Sequence, residues 1–295
     1  MSIEERLVFA PSVTPSDIQK RLCKRTVAIL DLLGFRQMVE GASTSELAMR
    51  YETLLQQLVH LNQARERGGM PALFPEHPPG NPWCSRFIFS DTVVLISDAD
   101  DVASCLRLLL HVWRILQLSI SANMPFRGAV AYGEMYVNPE AQVFLGRPLT
   151  DAYDLERAQK WVGVAIHPSI QDGLGDFFGD FDKRDTLDRV AQSHIFMRYP
   201  VPMAAGETRD LRVVNWRFNW IAKQGTRHHL GDPKDPDARL KIENTLIFAK
   251  HVRSLFPGVE PVIRPQNGLA YELRRWMASD TPGPLNLKEG HGDEF

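Results

Sequence analysis

Two aspartates stand beside short apolar runs that have the composition of β-strands. Asp31 ends the run Thr26–Asp31, and Asp91 lies between two β-rich runs in Ser90-Asp91-Thr92. Neighbouring carboxylates repel each other unless they share a proton or a cation. Since Mg²⁺ and Mn²⁺ prefer hard oxygen ligands, the pair would suit a divalent cation that carries a phosphate substrate. Each aspartate alone also fits a commoner role, Asp91 as a turn residue and Asp31 as a helix N-cap.

The residues around the two aspartates predict the elements that position them. Phe87–Phe89 and Val93–Ile96 predict a tight hairpin with Asp91 at its tip. Gly34 lets the backbone turn from the first strand into an amphipathic segment. Leu32–Phe35 is then either a plain strand-to-helix turn or a phosphate site made by main-chain amides at a helix N-terminus.

Composition limits the class of protein. The 295 residues are 44% apolar and 24% charged, which is enough for one large domain or two small ones. The net charge of −2 gives no general basic field, so we expect no binding to nucleic acid, although a local phosphate site is compatible with it. The widely spaced Cys23, Cys84 and Cys105 argue against a disulfide framework and are typical of buried cysteines in a reducing compartment.

Neither the first residues nor the most apolar stretch predicts a membrane segment. Two glutamates precede the first short apolar run, so no signal peptide is expected. Val102–Ile120 is interrupted by Arg107, His111 and Arg114 and is predicted to be an amphipathic helix packed on a sheet. We therefore expect a cytoplasmic protein.

Other elements follow along the chain. A capping box, Ser43-Thr44-Ser45-Glu46, begins a predicted helix that continues to about Arg67, and the proline-rich Gly68–Pro82 predicts an exposed loop. The remaining predictions are a strand over Phe126–Tyr132, a turn over Gly133–Pro139, a strand over Gln142–Leu145, a helix over Leu149–Lys160, a strand over Val162–Ile166, paired strands over Ile195–Tyr199 and Leu211–Trp216, a polar loop over Thr226–Pro236 and a helix over Arg239–Leu255.

This succession predicts an α+β fold, with helices on one face of a largely antiparallel sheet, and a ferredoxin-like core with extra strands fits it. Residues 1–24 are predicted to be a lead-in, residues 25–256 the main domain with an extension, and residues 257–295 a C-terminal segment. Disorder is expected from about residue 278, where glycine, proline and charged residues dominate.

Four motifs in a fixed order resemble a known family. They are Asp31 with Gly34-Phe35, FSDTVVL around Asp91, FRGAVAYGE over Phe126–Glu134 and FLGRPLTDAYDLE over Phe144–Glu156. Together they resemble the catalytic domain of class III nucleotidyl cyclases, most closely the stand-alone pyrimidine cyclases of bacterial anti-phage (Pycsar) defence. The resemblance covers roughly residues 26–170 and, more weakly, Val213–Trp216 and Lys241–Phe248.

The resemblance implies a ferredoxin-like cyclase core and a homodimer with both active sites at its interface. Each site would convert a nucleoside triphosphate to a 3′,5′-cyclic monophosphate and pyrophosphate with two Mg²⁺ or Mn²⁺ ions. Asp31, Leu32 and Asp91 would be the metal ligands, and the amides of Leu33–Phe35 would hold phosphate oxygens.

The sequence departs from this family on one helix. Most class III cyclases carry there an Asn and, four residues later, an Arg that stabilises the transition state, whereas this chain has Thr150 and Asp154. Arg157 shares a helix face with Asp154 and either takes over the cationic role or is an ordinary solvated charge. Lys241 is either a phosphate contact or a surface lysine, and Arg127 is expected to be a salt-bridged structural residue.

The positions that read the base in purine cyclases match Phe87 and, approximately, Val143, so both polar purine contacts are missing. A pocket narrowed by bulky side chains would exclude purines, which predicts a pyrimidine substrate, with UTP preferred over CTP on the resemblance alone. Phe87 is one candidate wall. Tyr51 is another, with a hydroxyl for hydrogen bonding, although its place on an apolar stripe also fits a core residue. Cyclic UMP would then act on a separate effector.

Other functions remain open. The missing Asn and Arg are compatible with a cyclase-fold module that binds a nucleotide without turnover, and a purine cyclase is a further alternative. A polymerase-type palm also pairs carboxylates on a ferredoxin-like sheet, but the chain has no basic stripe for nucleic acid.

Overall fold

The computed structural model describes residues 14–54, 84–121, 124–175, 177–178, 195–216 and 235–255. Within them the chain forms an eight-stranded, mostly antiparallel sheet covered by helices, so the predicted α+β class is confirmed. The predicted loop Gly68–Pro82, the last part of the helix predicted to Arg67 and the C-terminal segment from residue 257 lie outside the described residues.

The described strands and helices have the following bounds. The strands are β1 (Leu22–Leu32), β2 (Cys84–Phe89), β3 (Thr92–Ser97), β4 (Phe126–Asn138), β5 (Val143–Gly146), β6 (Gly163–Ile166), β7 (Phe196–Pro202) and β8 (Thr208–Val214). The helices are α1 (Pro15–Arg21), α2 (Phe35–Gly41), α3 (residues 44–54), α4 (Val102–Ser121), α5 (Arg147–Ala158), α6 (Ser169–Leu174) and α7 (Pro236–Leu255).

The strand order is β2-β3-β1-β4-β6-β8-β7, and β5 pairs with the last part of β4. β4 and β6 are parallel, and the other neighbours are antiparallel. β1 pairs with β4 along its whole length and with β3 over Val27–Asp31, so it lies near the middle of the sheet. Its last residues are therefore held by strands on both sides.

Helices cover both faces of the sheet, so the expectation of one covered face is wrong. Thr26–Leu30, five successive residues of β1, are all buried, although neighbouring strand residues point to opposite faces. Gly133 of β4 lies against Pro148 of α5, whereas Gly173 of α6 lies against the adjacent Tyr132. α5 and α6 therefore pack on opposite faces.

Helix α4 belongs to the core. By length and composition alone, its residues Val102–Ile120 would be apolar enough to cross a membrane. Most of its apolar side chains are buried in the same core as β1, β3 and β4, among them Cys105, Leu108, Leu109, Val112, Ile115, Leu116 and Ile120. This is the arrangement of a core helix that packs on a sheet, as its spacing predicts.

Several boundaries differ from the predictions. β4 continues to Asn138 through the predicted turn, because Gly133 pairs with Arg25 and β1 extends the ladder to Leu22↔Tyr136. α1 was not predicted; it begins at a capping box in which Thr14 and Asp17 bond each other's main-chain amides. α6 was also missed, because six residues are too few for a clear helical period.

An aromatic cluster fixes α7 to the second half of the sheet. The ring of Phe248 lies 4.7 Å from Trp161, 4.8 Å from Tyr199 and 5.3 Å from Trp216, measured between centroids. All four rings are buried. The first turns of α7 are also held to the segment after α5, because Asp237 pairs with Lys160 and the Asn244 side chain donates to the Lys160 carbonyl.

Candidate active site

The structure brings Asp31 and Asp91 together. β2 ends at Phe89 and β3 begins at Thr92, so Asp91 lies in the hairpin turn, where Ser90 adopts a positive φ of 56°. Asp31 is opposite Thr92 in the β1–β3 ladder, and the Leu32 amide donates to the Asp91 carbonyl at 2.9 Å. The turn is therefore tied to the end of β1, where both carboxylates lie close enough for their charges to interact.

The environment of Asp31 disfavours its ionised form. Burial raises its pKa to about 6; the charges of Glu156 and Asp91 add to the rise, while Arg127 and Lys241 oppose it. Its side chain is 28% exposed. At neutral pH Asp31 is therefore ionised but poorly solvated, which is the state of a carboxylate suited to bind a cation.

This raised pKa makes protein stability depend on pH. An acid whose pKa is higher in the folded state favours folding below its unfolded pKa, and this stabilisation is lost as the pH rises through the folded pKa. Asp31→Asn, which cannot ionise, should therefore raise the free energy of unfolding near neutral pH by up to about 3 kcal/mol and change it little near pH 4. Urea unfolding at both pH values tests this, and an equal effect at both would contradict it.

Arg127 and Glu156 form a buried ion pair next to Asp31. Nε of Arg127 donates to Oε1 of Glu156, and Nη2 forms an ion pair with the same oxygen. Nη2 also lies 3.6 Å from Oδ2 of Asp31. The expectation that Arg127 is a salt-bridged structural residue is confirmed. Glu156 was missed, although its spacing from Ala152 and Leu155 places it on the buried face of α5. Burial raises the pKa of Glu156 against the opposing effect of Arg127.

Tyr51 approaches the two carboxylates from α3. Its hydroxyl oxygen is buried and has no hydrogen-bond partner within the described residues. Burial raises the pKa of Tyr51, and the charges of Asp91 and Asp31 raise it further, so the hydroxyl lies close enough to both carboxylates for their charges to act on it. A buried polar atom without a partner is costly unless a ligand or water satisfies it.

The main-chain amides in the turn after Asp31 differ in whether they already have a hydrogen-bond acceptor. Gly34 has a φ of 76°, which a glycine adopts without strain, and α2 begins at the next residue. Of the amides predicted to hold phosphate, that of Leu33 donates to the Pro125 carbonyl at 2.9 Å. For the amides of Gly34 and Phe35, no partner is found in the part of the chain that the structure describes.

Lys241 lies on the first turns of α7, where it pairs with Asp237 of the same helix. Its side chain is 17% exposed, and its Nζ lies 2.7 Å from Asp237, which also receives Lys160 at 2.7 Å. These two lysines lower the pKa of Asp237 to about 2. Because the charge of Lys241 also lowers the pKa of Asp31, Lys241 is near the site rather than a freely solvated lysine.

Arg157 follows the buried Glu156 on α5 but lies on the exposed face of the helix. It is exposed, donates to the Tyr153 hydroxyl at 2.7 Å and stacks on that ring. Thr150 and Asp154 are also exposed, and the Thr150 hydroxyl donates to the Arg147 carbonyl. Within one protomer, Arg157 is therefore directed to the surface of α5 and not to the carboxylate pair.

Phe87 contributes to an aromatic contact. Its ring centroid lies 4.4 Å from that of Phe144 on β5, with the ring planes tilted by 51°. Both side chains are half-buried, and Val143 is 37% exposed. Phe87, the predicted wall of the base pocket, is thus in contact with a second aromatic ring, that of Phe144, which is next to Val143 in the sequence.

The described residues also enclose a cavity at the other end of β1. It has a volume of about 720 Å³ and is lined by Leu22, Tyr132, Tyr136, Arg147, Asp151 and His167, among others. Its lining includes neither Asp31 nor Asp91, so the cavity and the carboxylate pair are separate features of the fold. No group of three or more His, Cys, Asp or Glu side chains suited to a metal ion occurs within the described ranges.

Comparisons with known proteins add no family: no protein-family model matches the chain, and no curated protein matches it. The function is therefore inferred from the arrangement of the residues and from the resemblance of their motifs.

Proposed function

We propose that the protein is a nucleotidyl cyclase of the class III type, which converts a nucleoside triphosphate to a 3′,5′-cyclic monophosphate and pyrophosphate. The pairing of Asp31 and Asp91 at the end of β1 is the observation that carries this proposal. The strand order β2-β3-β1-β4 supports it, with helices after β1 and after β3, because this is the order of a ferredoxin-like βαββαβ core.

The residues fit a divalent cation. Asp31 and Asp91 offer carboxylate oxygens, and the Leu32 carbonyl is adjacent. The Tyr51 hydroxyl, which has no partner in the described part of the chain, is near enough for both charges to act on it. When bound, two Mg²⁺ or Mn²⁺ ions would favour loss of the ribose 3′ proton and offset the charge of the leaving pyrophosphate.

The chain's own residues would then position the triphosphate. The amides of Gly34 and Phe35 and the ammonium group of Lys241 would bind phosphate oxygens. The 3′ oxygen attacks the α-phosphorus, the bond to the β-phosphate oxygen breaks, and the proton leaves to water. Arg157 would supply positive charge in the transition state from the partner protomer, which its exposure on α5 makes possible.

The same proposal implies a homodimer in which each active site contains residues of both protomers. Its cyclic nucleotide would act in the cytoplasm on a separate effector in anti-phage defence. Light scattering should give twice the chain mass at micromolar concentration, and full activity of a monomer would contradict the shared site.

A nucleotide-binding module without turnover is the second candidate. It is favoured by Thr150 and Asp154, which stand where the family has its Asn and Arg, and by the hydrogen bond that the Thr150 hydroxyl gives to its own helix. A purine cyclase is the alternative within the same chemistry.

Incubation of the protein with equal amounts of ATP, GTP, CTP and UTP and Mn²⁺ distinguishes these candidates. We expect cyclic UMP as the main product. Predominant cyclic AMP or cyclic GMP would contradict a pyrimidine pocket, whereas predominant cyclic CMP would contradict only the preference for UTP. Binding without any cyclic product would select the module.

Phe87 provides a test of the base pocket. Phe87→Ala removes one ring of the Phe87–Phe144 contact, so purine triphosphates should gain at least about 10-fold in turnover relative to UTP. Ile88→Ala, on the other face of β2, is the matched control and should leave the ratio unchanged. An unchanged ratio in Phe87→Ala would show that this contact does not exclude purines.

A further inference from the structure

Arg127 is held by polar groups on several sides. Its Nε donates to Oε1 of Glu156, its Nη2 forms an ion pair with the same oxygen, and its Nη1 donates to the Gln159 carbonyl at 3.1 Å. The distance from Nη2 to Oδ2 of Asp31 is 3.6 Å, which is longer than a hydrogen bond. Arg127 and Glu156 are only 8% and 3% exposed, so little water competes with the carboxylates for the guanidinium of Arg127.

Gln159 holds the Nη1 group of the guanidinium in place. Its Nε2 donates to the carbonyls of Gly128 at 2.8 Å and Leu155 at 3.0 Å, and its Oε1 accepts from Trp161 at 2.8 Å. All polar atoms of this buried side chain have partners. The acceptor that it offers to Arg127 therefore has a fixed position.

Glu156, and not Asp31, is the carboxylate bound to Nε and Nη2 of Arg127. Glu156 occupies the edge of the guanidinium made by Nε and Nη2, because both nitrogens contact its Oε1. Contacts between two charged groups of this kind are stronger than neutral hydrogen bonds. Among the described residues, Asp31 is the other carboxylate within 4 Å of this guanidinium. Nη2 already lies 3.6 Å from Oδ2 of Asp31, so we expect that, without the charge of Glu156, it would move into hydrogen-bond contact with that carboxylate and occupy one of its oxygens.

We propose that Glu156 is a positioning residue for the cation site: by holding Arg127, it keeps the carboxylate of Asp31 free to bind a divalent cation. The inference rests on the proposed function only in that Asp31 is taken as a cation ligand.

Mn²⁺ binding to the full chain without nucleotide, measured by electron paramagnetic resonance of the free ion, tests this role. We expect Asp31→Asn to abolish the site and Glu156→Gln to weaken Mn²⁺ binding by about 10-fold to 100-fold. The double variant Arg127→Gln with Glu156→Gln should restore binding to within a few-fold of the wild type. Asp154→Asn makes the same charge change on the exposed face of α5 and should have no effect.

The outcomes separate the possible roles of Glu156. A folded Glu156→Gln variant with wild-type Mn²⁺ affinity would overturn the proposal, and so would a double variant as weak as Glu156→Gln alone, since Glu156 would then act only through the fold. Because no turnover is measured, the expected pattern in a protein that makes no cyclic nucleotide would support the positioning role and contradict the proposed function. A wild type that binds no Mn²⁺ would overturn both.

Discussion

Asp91→Asn should lower the rate of cyclic nucleotide formation by about 10³-fold, equivalent to about 4 kcal/mol in the activation free energy. The substitution removes one of the two carboxylates that would hold the cations. Asparagine has nearly the same shape, and the bond from the Leu32 amide to the carbonyl of residue 91 involves only the main chain, so the hairpin should be retained. Turnover of UTP with saturating Mn²⁺ measures the effect, and Asp31→Asn should give a similar loss.

Glu52→Gln is a suitable control for both substitutions. It makes the same charge change on α3, next to Tyr51, but at an exposed position. Its activity should stay within about twofold of the wild type, because exposed charges interact weakly through water. A folded Asp91→Asn variant that kept a tenth of the activity or more would exclude the two-carboxylate site.

Arg127→Gln should cause the largest loss of stability, about 3–5 kcal/mol in the free energy of unfolding. It leaves the negative charges of Glu156 and Asp31 buried without the cation that both contact. For a chain of this size the loss corresponds to a fall of roughly 10 °C in melting temperature. Addition of Glu156→Gln should recover most of it, because the buried charge is then removed together with its partner.

Arg198→Gln is the matched control for this loss. Arg198 pairs with Asp210 at 3.2 Å, but both side chains are more than half exposed. Such pairs contribute about 0–1 kcal/mol, so thermal unfolding should change little. Equal melting temperatures for the Arg127 and Arg198 variants would mean that the buried pair does not stabilise the folded chain.

The sequence predicts the parts of the site that local patterns encode. The alternation around Ser90-Asp91-Thr92 predicts the hairpin, and the apolar run before Asp31 predicts the end of β1, because strand period and turn chemistry act over a few residues. Helix α4 is predicted for the same reason, since its apolar residues repeat at helical spacing over twenty positions.

The partners of these residues could not be predicted, because they depend on register and on long-range packing. Arg127 faces Asp31 only because β4 pairs with β1 over eleven positions, and Glu156 reaches Arg127 only when α5 packs on that face. Gly133 has the composition of a turn, but its pairing with Arg25 keeps it in the strand. A local pattern contains no information about either pairing.

The position of β1 gives the Asp31 side and the Asp91 side of the site different free energies of local opening. Asp31 lies on a strand with hydrogen-bonded neighbours on both sides, whereas Asp91 lies in the turn of a hairpin whose outer strand, β2, ends the described sheet. Amide hydrogens of central strands exchange with solvent only through global unfolding, while edge elements also exchange through smaller local openings. The Asp31 side should therefore persist until the whole sheet unfolds, and the Asp91 side can separate from it at a lower free energy.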